Sequence, residues 1–372
     1  MIKLKEINIA KMLVAKRREK GVTQDELASH VGVSKASVSK WETGQSYPDI
    51  TLLPILASYF DVSIDKLMDY SPQMTKTEIT KIYEQLAAKF AAEPFEDVIA
   101  ESESLVKKYY SCHPLLEQIV QLYINHAPLA ANSKRKTLIL QSAIGLCEHI
   151  RNNCLDVYLT RRIVKVQALC HLSVNEPEKA IELLGDSVKI EMPGGALISQ
   201  AFQMLGNTVK ANEVIQVELY INIMAAFSGL LSYIQLNITD FKISQTAFEQ
   251  AESMSELFQI RQLNPNSVAV MYVLGAHIYQ AAGRSEDAIK LLEKYVDVCI
   301  HGFFPFVLHG DEFFDKIDGW LAENAGNIPR NESIVKESML NDVLLAKPFE
   351  SLRSYPEYTR LISKLRDFIG EK

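Results

Sequence analysis

The chain has 372 residues, enough for two or three domains of ordinary size. Hydrophobic residues make up 48% and charged residues 23%, a globular balance that excludes a disordered or fibrous chain. The formal net charge of −7 is unevenly placed: residues 1–40 carry nine Lys and Arg against four acids, residues 1–70 ten against nine, and the remainder 29 against 37. A basic start on an acidic body fits local contact with nucleic acid and weak non-specific attraction elsewhere. No segment at the start has the basic, apolar and small-residue order of a signal peptide. No stretch reads as a membrane span; the most apolar run, Val268 to Ala282, carries His277 and Gln280. The expected location is therefore cytoplasmic. Five cysteines without a C-x-x-C read as buried small hydrophobes, and neither metal nor cofactor is expected.

The first predicted helix runs from about Glu6 to Lys20 and is closed by Gly21. Thr23 and Glu26 have capping-box spacing, so a second helix starts there with Leu27, Ala28 and Val31 on one face. Gly32 stands where that helix stops, a position suited to positive φ. Ser34 is an N-cap for a third helix, anchored inward by Val38 and Trp41 and ended by Gly44. Two short helices around a glycine turn make a helix-turn-helix, whose second helix is the one that enters a major groove. Further helices are predicted at about Thr51 to Phe60 and Ser63 to Met68, followed by the linker Tyr70-Ser71-Pro72-Gln73-Met74-Thr75.

The runs "TQDELA", "VGVS" and "SVSKWETG", with Pro48 and "LASYFDVSIDKL", resemble the Cro/repressor-type (Xre) helix-turn-helix regulators over Lys5 to Asp69. The resemblance implies double-stranded DNA as a partner. It makes Gln24 a phosphate contact and places Ser34, Lys35, Ala36, Ser37 and Lys40 at the groove. Lys35 and Lys40 can donate to guanine or phosphate, and the Ala36 methyl can touch thymine. Gln45, Ser46 and Tyr47 follow the recognition helix and are expected at backbone phosphates. Arg17 and Glu42 match an internal ion pair, a structural role that is costly to break on one side.

After the linker the pattern stays helical. The stripe Glu78-Ile79-Ile82-Leu86-Ala87 has a 3.6-residue period. Pro94 opens a helix to about Tyr110 and Pro114 one to about Asn125. Ser133 caps a long helix to about Ile150. "EKAIELL" at Glu178–Leu184 recurs as "EDAIKLL" at Glu286–Leu292, with Ala180 and Ala288 separated by 108 residues, three times 36. Helix, small-residue turn and helix opening with E-x-A-I resembles tetratricopeptide repeats, and Leu274-Gly275, Gly283 and Ala288 match their packing positions. The alternative is an irregular bundle. Between the copies a long apolar helix spans about Ala211 to Gln235, with Asn222 inside it and Asn207 and Asn237 near its ends. A mid-helix Asn has poor propensity and needs a partner if buried.

The chain is thus expected to be all-α: a five-helix helix-turn-helix domain at 1–70, a linker at 71–76, a TPR-like right-handed solenoid at 77–302, and a helical segment at 303–372. That last segment is read as a cap on the solenoid, or alternatively as a dimer contact.

No Walker loop, G-x-G-x-x-G, H-E-x-x-H or G-x-S-x-G is present, and Gly194-Gly195 in "MPGGA" reads as a turn, so an enzyme is not expected. Helix-turn-helix plus TPR-like repeats resembles the Rgg/PlcR-type peptide-pheromone receptors. That implies a regulator whose repeats sense a short signalling peptide, with Asn222 among the binding residues. The other reading is a non-sensing regulator whose repeats only dimerise or dock a protein. A homodimer is expected in either case, held mainly by the helical body, because the N-terminal domain shows no spare apolar face.

Overall fold

The computed structural model describes residues 8–70, 73–188, 194–324 and 330–370. Glu6, the expected start of the first helix, lies outside these residues. So do Lys3 and Lys5 of the basic segment, Ser71 and Pro72 of the linker, and Met192 and Pro193 of the glycine turn. The described residues are helical, with no strand among them. They form two compact units, Met1–Leu86 with Pro94–Leu184, and Ala87–Glu93 with Gly185–Lys372.

The first unit opens with α1 (Ile9–Glu19), α2 (Gln24–Val31), α3 (Lys35–Glu42), α4 (Leu53–Tyr59) and α5 (Ile64–Leu67). They close over one core in which Leu13, Leu27, Val38, Leu56 and Leu67 have no exposed surface. Each such side chain stabilises by about 1.5–3 kcal/mol relative to exposure. A 3₁₀ turn at Ile50–Leu52 leads into α4, and Ser63 caps α5 by accepting from Lys66 N at 3.2 Å. The domain does carry apolar surface: Ile50, Ile55 and Ile64 are exposed around α4 and α5. Those isoleucines interrupt the inward periodicity of short elements, where a few residues do not define a face.

The unit continues with α6 (Lys76–Lys89), α7 (Phe95–Lys108), α8 (His113–His126), α9 (Ser133–Asn153), α10 (Val157–Ser173) and α11 (Pro177–Leu184). From α7 to α11 each helix packs on its neighbour in sequence. The cap of α9 is Asn132, whose Oδ1 accepts from Arg135 N at 2.9 Å; the expected cap, Ser133, is the first helical residue. Asn and Ser are near-equal N-caps, so adjacent candidates leave the sequence ambiguous by one position.

The second unit contains α12 (Gly195–Met204), α13 (Thr208–Leu236), α14 (Phe241–Leu257), α15 (Ile260–Leu263), α16 (Pro265–Ala281), α17 (Ser285–His301), α18 (Asp318–Asn324), α19 (Glu332–Ser338) and α20 (Pro356–Ile369). α16 packs along α17, and α20 lies on α17. Phe349, Leu352, Tyr358 and Leu365 are fully buried in the core shared with α16 and α17. The C-terminal segment therefore covers the apolar face of the last hairpin.

The two E-x-A-I hairpins share a backbone turn. At α10–α11 the turn residue Asn175 has φ +62°, and at α16–α17 Gly283 has φ +74°. In each, the next N–H returns to a carbonyl five residues back, Glu176 N to His171 O and Arg284 N to Tyr279 O, both 2.9 Å. That is the Schellman closure of a helix by a left-handed residue. The same closure ends α12 before α13, as it ends helices of the helix-turn-helix domain at Gly21, Gly32 and Gly44. Gly206 has φ +75°, Asn207 N donates to Phe202 O at 2.9 Å, and Ala211 is buried like Ala180 and Ala288.

α13 also corrects the reading of hydropathy. It is, among the described residues, the one helix long and apolar enough to cross a membrane by length and composition, with a window of mean hydropathy 1.6. Only Ala211, Tyr220, Phe227 and Ile234 on α13 are buried, the last three at seven-residue spacing, and the helix packs against α12, α14 and α16.

Candidate nucleic-acid interface

The turn between α2 and α3 follows from its residues. Thr23 Oγ1 accepts from Glu26 N at 3.2 Å while Glu26 Oε2 accepts from Thr23 N at 2.7 Å, a reciprocal capping box. Gly32 ends α2 at φ +80°, where an added Cβ would meet nothing but the backbone strain itself. Ser34 Oγ accepts from Ser37 N at 3.2 Å and starts α3. Val38 and Trp41 turn inward. The opposite side of α3 is thereby presented to solvent.

Lys35, Ala36 and Lys40 are exposed on that side, with Ser34 at its start and Ser37 half-buried. Thr43 continues the Ala36–Lys40 stripe by one further turn, and its hydroxyl donates to Ser39 O at 2.9 Å. Thr43 was not among the expected contacts; the i, i+4, i+7 spacing of 36, 40 and 43 is the signal for it. Gln45 and Tyr47 are exposed beyond the helix, and Ser46 is half-buried. Lys40 makes no ion pair among the described residues, whereas Lys35 Nζ lies 2.9 Å from Asp25 Oδ2.

Behind this face sits a side-chain lock. Arg17 Nε donates to Glu42 Oε1 at 2.6 Å and Arg17 Nη2 to Glu42 Oε2 at 3.0 Å, a two-pronged pair from α1 to the end of α3. Arg17 Nη1 also donates to Val22 O at 2.9 Å. Gln24 Nε2 donates to Glu42 Oε2 at 2.9 Å, so its amide is held by the same carboxylate that the arginine grips. Burial opposes ionisation of Glu42, but the hydrogen bonds from Arg17 and Gln24 and the arginine's charge outweigh it. Its carboxyl is held below the usual carboxylate range. The lock ties α1, α2 and α3 together and fixes Gln24 at the first residue of α2, beside N–H groups that favour an anion.

Residues 13–67 match the family model described as a helix-turn-helix. Over 62 residues the chain is 37% identical to the HTH-type transcriptional activator BcrR of Enterococcus faecalis; the match covers 17% of this chain and 30% of that protein. Residues 13–67 are a helix-turn-helix domain of the Xre type. Among solved structures, Bacillus thuringiensis PlcR in complex with the peptide PapR7 and DNA is 15% identical, covering 79% of this chain and 95% of that one at a TM-score of 0.31. The apo competence regulator ComR of Streptococcus vestibularis is also 15% identical, covering 86% and 98% at a TM-score of 0.25.

Outside the helix-turn-helix domain, Asn222 is solvent-exposed on α13. It is not a buried amide in need of a partner, so the premise drawn from its apolar neighbours in sequence does not hold. Ile221 and Leu219 beside it are also about half exposed, at 45% and 41%. Of the cysteines, Cys112, Cys147, Cys170 and Cys299 are buried. Gly194-Gly195 begins α12, and Gly195 N donates to Glu218 Oε1 of α13 at 2.7 Å.

Proposed function

We propose that this chain is a sequence-specific, DNA-binding transcriptional regulator, working as a cytoplasmic homodimer, whose helical repeats sense a short peptide. The observation that carries the DNA reading is the exposed stripe of α3, Lys35, Ala36, Lys40 and Thr43, held on a domain locked by Arg17, Glu42 and Gln24. Such a helix offers donors for guanine and a methyl for thymine, while the N-terminus of α2 meets backbone phosphate. Gln24, Ser34, Ser37, Gln45 and Tyr47 contribute the surrounding polar contacts. Selection of duplexes from a random pool, then anisotropy with the chosen duplex and a scrambled one, tests this. A single-site preference is expected; equal affinity for both duplexes overturns it.

The sensing part is supported by α13. A half-exposed apolar helix carrying a solvent-facing amide suits an extended peptide, whose backbone N–H and C=O groups need partners when they lose water. Asn222 supplies a donor and an acceptor there. The resemblance to Rgg/PlcR-type receptors points the same way. The other reading, repeats used only for dimerisation or protein docking, is favoured by the exposure of Tyr233 and Leu236 on the same helix. Calorimetry with short peptides on the wild type and on Asn222→Ala separates the two. Binding that weakens in the variant supports sensing, and no binding across a peptide library supports docking.

A further inference from the structure

Lys35 is the first residue of α3, and its ammonium is already engaged: Nζ lies 2.9 Å from Asp25 Oδ2, across the turn on α2. Both side chains are well exposed, 59% and 67%, so the pair is screened and easily exchanged. Asp25 is the second residue of α2, at the positive end of that helix. Its carboxylate therefore does two things on the face offered to DNA. It takes up one cation of α3, and it weakens, without abolishing, the attraction of the α2 N-terminus for phosphate. On α1 and the turn after it, Lys16 pairs with Glu19 at 2.6 Å, Arg17 with Glu42, and Lys20 bonds to the Tyr59 carbonyl, while Lys11 and Arg18 make no ion pair among the described residues. Lys40 is left as the unpaired cation of α3.

We infer that Asp25 is a positioning residue that makes recognition selective, by withholding Lys35 from phosphates and releasing it to a base acceptor. This rests on the DNA-binding reading above. A lysine that reaches guanine O6 or N7 gains more than an exposed ion pair offers, so a correct base draws Lys35 off Asp25. On wrong sequences Lys35 meets only phosphate and must give up one ion pair to form another, so its net contribution there is reduced. The consequence is one cation that counts for less in non-specific binding, and a wider gap between right and wrong sites.

The test uses the full chain as wild type, Asp25→Asn, Lys35→Ala and the double variant. The probes are a duplex selected from a random pool by the wild type and a scrambled duplex of equal length, titrated over a range of KCl concentrations. Asp25→Asn is expected to tighten the scrambled duplex by about 3–10-fold at low salt and to steepen its log–log salt slope by about one. It should tighten the selected duplex less. Lys35→Ala should weaken the scrambled duplex less in the wild type than in Asp25→Asn, where it should cancel the gain. Equal tightening on both duplexes, or the same effect of Lys35→Ala in both backgrounds, overturns the inference while leaving DNA binding intact. If the wild type selects no duplex at all, both readings fall.

Discussion

At the scale of the residue, Glu42 does the most. It receives three side-chain hydrogen bonds, two from Arg17 and one from Gln24, and so joins three helices through one carboxylate. Arg17→Ala leaves that carboxylate partly desolvated and unpaired, and should cost about 3 kcal/mol of domain stability by chemical denaturation. Because the folded-state pKa of Glu42 is depressed, its contribution is present in full above the unfolded pKa of a glutamate. It is lost as pH falls through the lower folded value. Glu42→Gln should therefore lower stability at neutral pH and flatten its decline in acid, which melting curves between neutral and acid pH will read. On the outer side of α3, Lys40→Ala should weaken binding to a selected duplex by about 1–3 kcal/mol if Lys40 meets a base. If it meets phosphate, all sequences should weaken alike and the salt slope should fall by about one. No change on any duplex would mean that this face does not read DNA.

At the scale of the element, two glycines of one hairpin show two different physical demands. Gly283 has φ +74°, and an added Cβ would have nothing within 4 Å, so only the backbone resists substitution. Gly283→Ala should cost about 1–2 kcal/mol. Gly275 has ordinary helical φ, but a Cβ there would stand 2.4 Å from the Phe248 ring of α14. Gly275→Ala should cost about 1–3 kcal/mol through overpacking, and a smaller residue at 248 should relieve part of it. Thermal denaturation of Gly275→Ala alone and with Phe248→Leu checks this; no rescue would place the strain elsewhere. The two glycines also show what the sequence makes legible. Capping residues such as Thr23, Glu26 and Ser34 act locally, so the helix-turn-helix could be traced to within a residue or two. The hairpin copies at Ala180 and Ala288 share E-x-A-I and were legible for the same reason. The hairpin at Ala211 shares only the left-handed residue five positions earlier, Gly206, and stands off the 36-residue spacing of the other two. Its surrounding side chains differ, so a search by side chain passes over it. Burial of Asn222 was misjudged for a different reason: neighbours in sequence are not neighbours across a helix, and Ile221 and Ile223 do not bury the residue between them.

At the scale of the whole molecule, charge and apolar surface bear on assembly. Residues 1–70 carry a net +1 and the remainder a net −8, so long-range attraction to DNA is weak and recognition depends on the local face of α2 and α3. One helix-turn-helix reads a short half-site, and two-fold half-sites about 34–36 Å apart require two heads. Apolar surface for pairing exists in two places. Ile50, at 78% exposed, stands with Ile55 and Ile64 on the helix-turn-helix domain, and Leu219, Ile221, Tyr233 and Leu236 stand on α13. The body offers the longer continuous element, so we expect it to hold the dimer in the absence of DNA, with the isoleucines joining when both heads are on one duplex. Light scattering at micromolar concentration should give a dimer for the full chain. Leu236→Glu with Tyr233→Glu should shift it toward monomer without loss of helix content. Ile50→Glu should leave the free dimer unchanged and weaken binding to a two-half-site duplex more than to a single half-site. A free monomer in the wild type that dimerises only on DNA would assign the contact to the heads alone, and would leave the exposed face of α13 to a different partner.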